Sequence, residues 1–229
     1  MTERDEDAGQ VSGLKASRAS PHHLVVPSYW HEACRVLGES DSILQSLIEE
    51  YRDVHFQSRG AAFETLLRAI VGQQISVKAA QSVWHRLEAY LGEVSVDGVL
   101  KAPVDDLRVC GLSQQKVRYV KDLAEHFASG TINPRRFRYL DDETLLEHLC
   151  DVRGIGRWTA EMFLIFHLQR PDIFPLQDIG LIRAVERHYL GGTRATSKEI
   201  AAVGERWRPW RTVATWYLWR SLDPFPVAY

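Results

Sequence analysis

The sequence is short of cysteine, of long apolar runs, of alternating segments and of net charge, and each shortage removes a class of function. Only three cysteines occur in 229 residues, Cys34, Cys110 and Cys150, and no two of them form a CxxC pair. A disulfide framework and a zinc site are therefore not expected, and a reducing compartment suits the chain. No apolar run reaches the roughly 18 residues of a membrane span. The N-terminus is polar and acidic and lacks the signal-peptide pattern, so a cytoplasmic protein without a membrane partner is expected. A net charge of −2 argues against a uniformly basic coat for nucleic acid.

What is present is ordinary in bulk and specific in pattern. A hydrophobic fraction of 45% with 25% charged residues fits a soluble globular chain with a sizeable core. The charge is uneven. Residues 151–229 hold 11 Lys and Arg against 8 Asp and Glu, and residues 1–150 hold the other 17 against 22. That polarity is compatible with a local DNA-binding surface.

Residues 1–24 mix acidic, small and polar types and read as a mobile tail. From Tyr29 onward the apolar residues recur at helical spacing. Phe63, Leu66, Leu67, Ile70 and Val71 share one helix face. Val77, Ala80, Val83, Trp84, Leu87 and Leu91 mark a second inward face, ended by Gly92. Lys116–Phe127 points Val117, Val120, Leu123 and Ala124 inward, and Leu145, Leu146 and Leu149 mark a short helix. Thr159–Leu168 is apolar on nearly all sides, the pattern of a buried central helix. Further helices are predicted at Ile179–Tyr189, Ser197–Trp207 and Pro209–Ser221, the last with proline just inside its start. Val94–Val96 is the only weak strand signal. The fold class is all-α.

Between two of these helices lies Val152-Arg153-Gly154-Ile155-Gly156-Arg157-Trp158-Thr159-Ala160. Glycines permit positive φ and close approach of another chain. The N–H groups at the start of the following helix lack intrahelical partners and carry the positive end of its dipole, which suits a phosphate. By itself a G-x-G turn is more often an ordinary interhelical loop with a glycine cap.

The full run R-G-I-G-R-x-T-A, leading into a buried helix, resembles the hairpin of the helix-hairpin-helix DNA glycosylase superfamily, close to L-P-G-V-G-x-x-T-A. Arg153 stands where that pattern has proline. The resemblance covers residues 29–222 and implies two helical lobes with an active-site cleft between them. One lobe joins residues 25–61 to 179–229. The other spans 62–178 and carries the hairpin, about 144–168. Gly154, Gly156, Arg157 and Thr159 are then the expected DNA-backbone contacts.

In that superfamily a catalytic aspartate follows the hairpin's second helix, and Asp178 occupies its place. A carboxylate there stabilises the oxocarbenium-like sugar formed as a glycosidic bond breaks, and it can orient or deprotonate water. Asp178 also sits where it caps the helix from Ile179, a role that stands beside the catalytic one. Asp172, across the loop, is the weaker candidate.

Bifunctional members carry a Schiff-base lysine where this chain has Trp158. The resemblance therefore implies a monofunctional hydrolase without lyase activity, in the DNA-3-methyladenine glycosylase II group, which shares G-I-G-R-W-T-A. Alkylation-repair members also have a W-[KR]-P-W-R run, here Trp207–Arg211, followed by a pocket tryptophan, here Trp219. Trp158, Met162 and Trp219 are thus expected to line a pocket for a cationic alkylated purine, which aromatic faces attract. Met162 replaces a frequent tyrosine and leaves the range of bases open.

Ile70-Val71-Gly72-Gln73-Gln74-Ile75-Ser76 is similar to the loop that enters the minor groove in relatives. Gln74 holds the place of the residue that fills the gap left by a flipped base, with Gln73 able to bond nearby bases. The plain alternative is a polar turn with Ser76 as N-cap. By the same resemblance the carbonyls of Cys150, Val152 and Ile155 would ligate sodium or potassium. No cofactor is otherwise required, and three cysteines exclude the four-cysteine iron–sulfur cluster of another branch. The expected partner is double-stranded DNA containing a damaged base, bound by a monomer. The competing function is a non-catalytic binder of DNA structure that kept the hairpin.

Overall fold

The computed structural model describes residues 26–52 and 60–223; the tail read at 1–24 lies outside them. The described backbone is helical and has no β-strand. In chain order the helices are α1 (Trp30–Ser40), α2 (Ser42–Glu50), α3 (Ala62–Gly72), α4 (Val77–Leu91), α5 (Val96–Lys101) and α6 (Val104–Val109). They continue with α7 (Gln114–Ala128), α8 (Asp142–Cys150), α9 (Arg157–Phe166), α10 (Ile179–Tyr189), α11 (Ser197–Glu205) and α12 (Arg211–Leu222). A 3-10 turn, Pro134–Tyr139, leads into α8.

Side chains start many of these helices, by satisfying N–H groups that have no intrahelical acceptor. Ser76, Ser113, Asp141 and Asp178 each accept from the backbone N–H three residues on. Ser95 does the same for α5, so the predicted Val94–Val96 strand is instead the entry to a helix. Two further expectations change. Val77 is 65% exposed because α4 begins there, in a first turn that stands clear of the core. Pro209 precedes α12 instead of starting it: the Arg208–Pro209 peptide is cis and the helix begins at Arg211.

Helices α1, α2, α10, α11 and α12 pack among themselves, while α3 to α9 form a second group around α3 and α7. Ala160 to Ile165 of α9 are all buried, Glu161 being the one polar member. In the first group Asp41 is buried and fully employed. It caps α2 through Ile43 and Leu44 and accepts from Tyr189 Oη and Trp207 Nε1, both at 3.1 Å. A buried carboxylate is costly unless so satisfied.

The loop after α9 is pinned to the start of α12. Thr212 Oγ1 donates to the Arg170 carbonyl at 2.6 Å and accepts from Ile173 N at 2.9 Å. Asp172 accepts from Arg208 and from two nitrogens of the Arg211 guanidinium. Asp172 is thereby an anchor for this loop, and the loop delivers Asp178 to the seam between the two helix groups.

Candidate active site

The hairpin turn is built from two buried pegs and two unlike glycines. Val152 and Ile155 are 1% and 3% exposed, and Ile155 N donates to the Val152 carbonyl at 3.0 Å. Gly154 has φ +88°, and a Cβ there would lie 2.2 Å from the Tyr119 ring. Glycine is therefore obligatory, for backbone conformation and for packing. Gly156 is different. Its φ is −86°, open to any residue, and a Cβ would meet nothing within 4 Å. Nothing inside the protein demands glycine at 156.

Helix α9 has no side-chain cap. Among the described residues the N–H groups of Gly154 and Gly156 meet no acceptor. They leave two donors without a protein partner at and just before the start of α9, where the helix dipole is positive. Arg153, in the place of proline, uses the N–H that proline would lack: it donates to Asp122 Oδ2 at 2.8 Å.

The Gln73–Gln74 loop lies against this turn. Gln73 Nε2 donates to the Gly154 carbonyl at 2.7 Å, so one of its two amide hydrogens is committed to the protein. Lys116 Nζ donates to the carbonyls of Val71 and Gln73, both at 2.7 Å, capping the end of α3. Burial lowers the Lys116 pKa from its ordinary value. Gln74 is exposed and holds φ +59°, a left-handed conformation uncommon outside glycine. Between loop and turn is a cleft of about 460 Å³, whose lining includes Gln74, Lys116, Cys150, Val152 and Ile155. The three expected cation-ligating residues thus share one cleft, although the Val152 carbonyl already accepts from Ile155 N.

Asp178 stands apart from that cleft, held at the start of α10 by three N–H donors. Its Oδ1 accepts from Leu181 N and from Trp219 Nε1, both at 2.7 Å. Its Oδ2 accepts from Trp158 Nε1 at 2.9 Å. Trp158 comes from α9 and Trp219 from α12, so the carboxylate is gripped from both helix groups. Phe166 stacks on Trp219 at 5.8 Å and fixes the ring. Gly180 makes room for the approach: a Cβ there would lie 3.1 Å from Asp178 Oδ1 and 3.2 Å from Trp219. Trp158 keeps 37% of its surface exposed, and Met162, one turn on, is buried.

Arg157 is occupied more than its sequence context suggests. Its guanidinium donates to both oxygens of Glu143 at 2.6 and 2.9 Å and to Glu161 Oε1 at 3.1 Å. The hydrogen bonds from Arg157 hold the Glu143 carboxyl below its ordinary pKa. Glu161 goes the other way. Burial raises its pKa, against the opposing pull of Arg157. Its Oε2 is buried without a hydrogen-bond partner. Thr159 is half-buried in the first turn of α9.

Residues 67–209, which include both the Gln loop and the hairpin, match the family described as HhH-GPD superfamily base excision DNA repair protein. The chain belongs to the HhH-GPD superfamily. Among its relatives is DNA-3-methyladenine glycosylase 1 of Schizosaccharomyces pombe, 32% identical over 81% of this chain and 83% of that protein. A DNA-3-methyladenine glycosidase from Bacillus halodurans superimposes with a TM-score of 0.78 and 31% identity, over 86% of this chain and 90% of the other. An S. pombe 3-methyladenine DNA glycosylase in complex with abasic DNA gives a TM-score of 0.70 at 29% identity, covering 85% and 99%.

Within this HhH-GPD chain the sequence reading missed four residues that the geometry makes important: Lys116, Tyr119, Glu161 and Gly180. Gly180 had a signal. Glycine in the first turn of a helix forfeits roughly 1 kcal/mol against alanine, which is tolerated where something must come close. Glu161 had a signal too, a lone carboxylate in an apolar helix four residues after Arg157; Lys116 and Tyr119 act across the fold and leave no local mark.

Proposed function

We propose that this chain is a monofunctional DNA-3-methyladenine glycosylase of the type II group, acting on alkylated bases flipped out of double-stranded DNA. The observation that carries this reading is Asp178, held by two indole N–H groups beside an uncapped helix-hairpin-helix turn. A carboxylate there faces the positive charge that develops on the sugar as the C1′–N bond breaks. The bonding pair leaves with the base, which a cationic alkylated purine accepts readily. Water then adds to C1′ and its proton passes to Asp178 or to solvent.

The supporting elements take separate roles. The free N–H groups of Gly154 and Gly156, with Thr159, grip the backbone without reading sequence. Arg157 is already neutralised by Glu143 and Glu161 and adds little to that grip. Trp158, Met162 and Trp219 form the walls of the base pocket, where indole rings suit a cationic base; Phe166 stacks on Trp219 and holds its ring. Gln74 fills the gap in the duplex. The carbonyls of Cys150, Val152 and Ile155 would hold a sodium or potassium ion, whose charge would bridge the turn to a phosphate. Trp158 has no amine, so no Schiff base forms and the product is an intact abasic site. The protein works as a monomer.

Incubation with methylated DNA, chromatography of the freed bases and borohydride trapping test this reading together. Release of 3-methyladenine and 7-methylguanine without a trapped adduct is expected. Absence of free base, or a covalent adduct, would overturn it.

A further inference from the structure

The Gln loop and the hairpin turn are joined by a set of bonds that the chemistry of Asp178 does not use. Gln73 Nε2 donates to the Gly154 carbonyl at 2.7 Å, directly linking the two segments. Helix α7 ties each of them from behind. Lys116 Nζ holds the Val71 and Gln73 carbonyls, the Tyr119 ring packs on Gly154, and Asp122 accepts from Arg153 N. Lys116, Tyr119 and Asp122 follow one another at intervals of three along α7, so neighbouring members share a helix face. The next residue after Gln73 is Gln74, exposed and held at φ +59°, a conformation that persists only where its surroundings impose it.

We propose that Gln73 is a positioning residue, a strut that fixes Gln74 relative to the hairpin turn and so couples grip on the DNA backbone to extrusion of a base. A duplex seated on the Gly154 and Gly156 N–H groups then meets Gln74 at a set distance, and insertion needs no separate ordering of the loop. Without the strut the loop must be ordered during extrusion, and the entropy of ordering slows that step. The bond from Gln73 Nε2 to the Gly154 carbonyl is the contact through which Gln73 acts, by way of Gln74; its second N–H and its Oε1 are not part of the strut. The proposal rests on the reading of Gln74 as the gap-filling residue.

The test compares the parent with Gln73→Met, Gln74→Ala and the double variant. Extrusion is followed by the fluorescence of 2-aminopurine beside a tetrahydrofuran abasic analogue, and affinity is measured separately on undamaged duplex. Gln73→Met should melt only a few degrees below the parent, as the loss of one hydrogen bond allows, and bind undamaged duplex as the parent does. Its extrusion should slow by about threefold to tenfold, the loss of one neutral hydrogen bond. The double variant should be no slower than Gln74→Ala, since the strut has nothing left to position. Parental extrusion in Gln73→Met, with Gln74→Ala slow, overturns the strut alone. Additive slowing in the double variant, or equal losses in binding and extrusion, makes Gln73 an independent DNA contact and also overturns it. Parental extrusion in Gln74→Ala removes the reading of Gln74, and the strut with it.

Discussion

The indole Nε1 of Trp158 donates to Oδ2 of Asp178 across 2.9 Å, although the residues are twenty positions apart and belong to different helices. Trp219 completes the pair from a third helix, at 2.7 Å on Oδ1. A carboxylate is an acceptor only, and three N–H donors fix its plane. Trp158 thereby sets the direction in which Asp178 presents its charge.

Trp158→Phe tests that role, because it keeps a ring and deletes the donor. A hydrogen bond to an ionised group contributes roughly 1.5–3 kcal/mol, less where one partner is exposed as Trp158 is. Single-turnover release of 3-methyladenine should fall by about tenfold at saturating enzyme, with affinity for undamaged duplex unchanged. Equal losses in both would make Trp158 a DNA contact.

The two glycines of the turn should separate stability from binding. Gly154→Ala forces a Cβ into the Tyr119 ring at 2.2 Å and into a positive φ, a combination expected to destabilise by about 1–3 kcal/mol. Gly156→Ala meets no protein atom within 4 Å and should melt with the parent. Its methyl group instead occupies the space a phosphate needs, so duplex affinity should drop several-fold. Thermal melts and binding isotherms on both variants check the split.

Glu161 gives a pH signature. Its pKa is raised by burial, so between the ordinary value and the folded one the native state binds more protons than the unfolded state. Stability contributed there falls as pH rises through that interval. Glu161→Gln removes the penalty and keeps an acceptor for Arg157. The melting temperature of the variant relative to the parent should therefore climb from acidic to mildly alkaline pH. A relative melting temperature that falls over the same range would contradict the assignment.

The helices were legible because their signals are local. Ser76 and Asp178 cap where the sequence places caps, and α9 is buried along the apolar run that announces it. The hairpin was legible because Gly154 is demanded by its own backbone. Arg157 reads as a DNA-backbone contact from its place in the hairpin motif, whereas its pairing with Glu143, on the preceding helix, forms only when the hairpin closes and has no local signal. The Gln73 amide reads as able to bond nearby bases, and its bond to the Gly154 carbonyl, made across 81 residues, leaves no trace in the local sequence. Pro209 follows favoured statistics for a helix start and yet lies before the helix, in a turn ahead of Trp210. Contacts made by folding were invisible; residues that dictate their own backbone were not.

The most direct measurement is base release by Asp178→Asn on methylated duplex DNA, with binding measured alongside. The variant keeps the shape of the side chain and an acceptor oxygen for the cap of α10, so it should fold and bind duplex as the parent does. It removes the negative charge, and release of 3-methyladenine should fall to background. Undiminished release would contradict the central role of Asp178 in breaking the glycosidic bond.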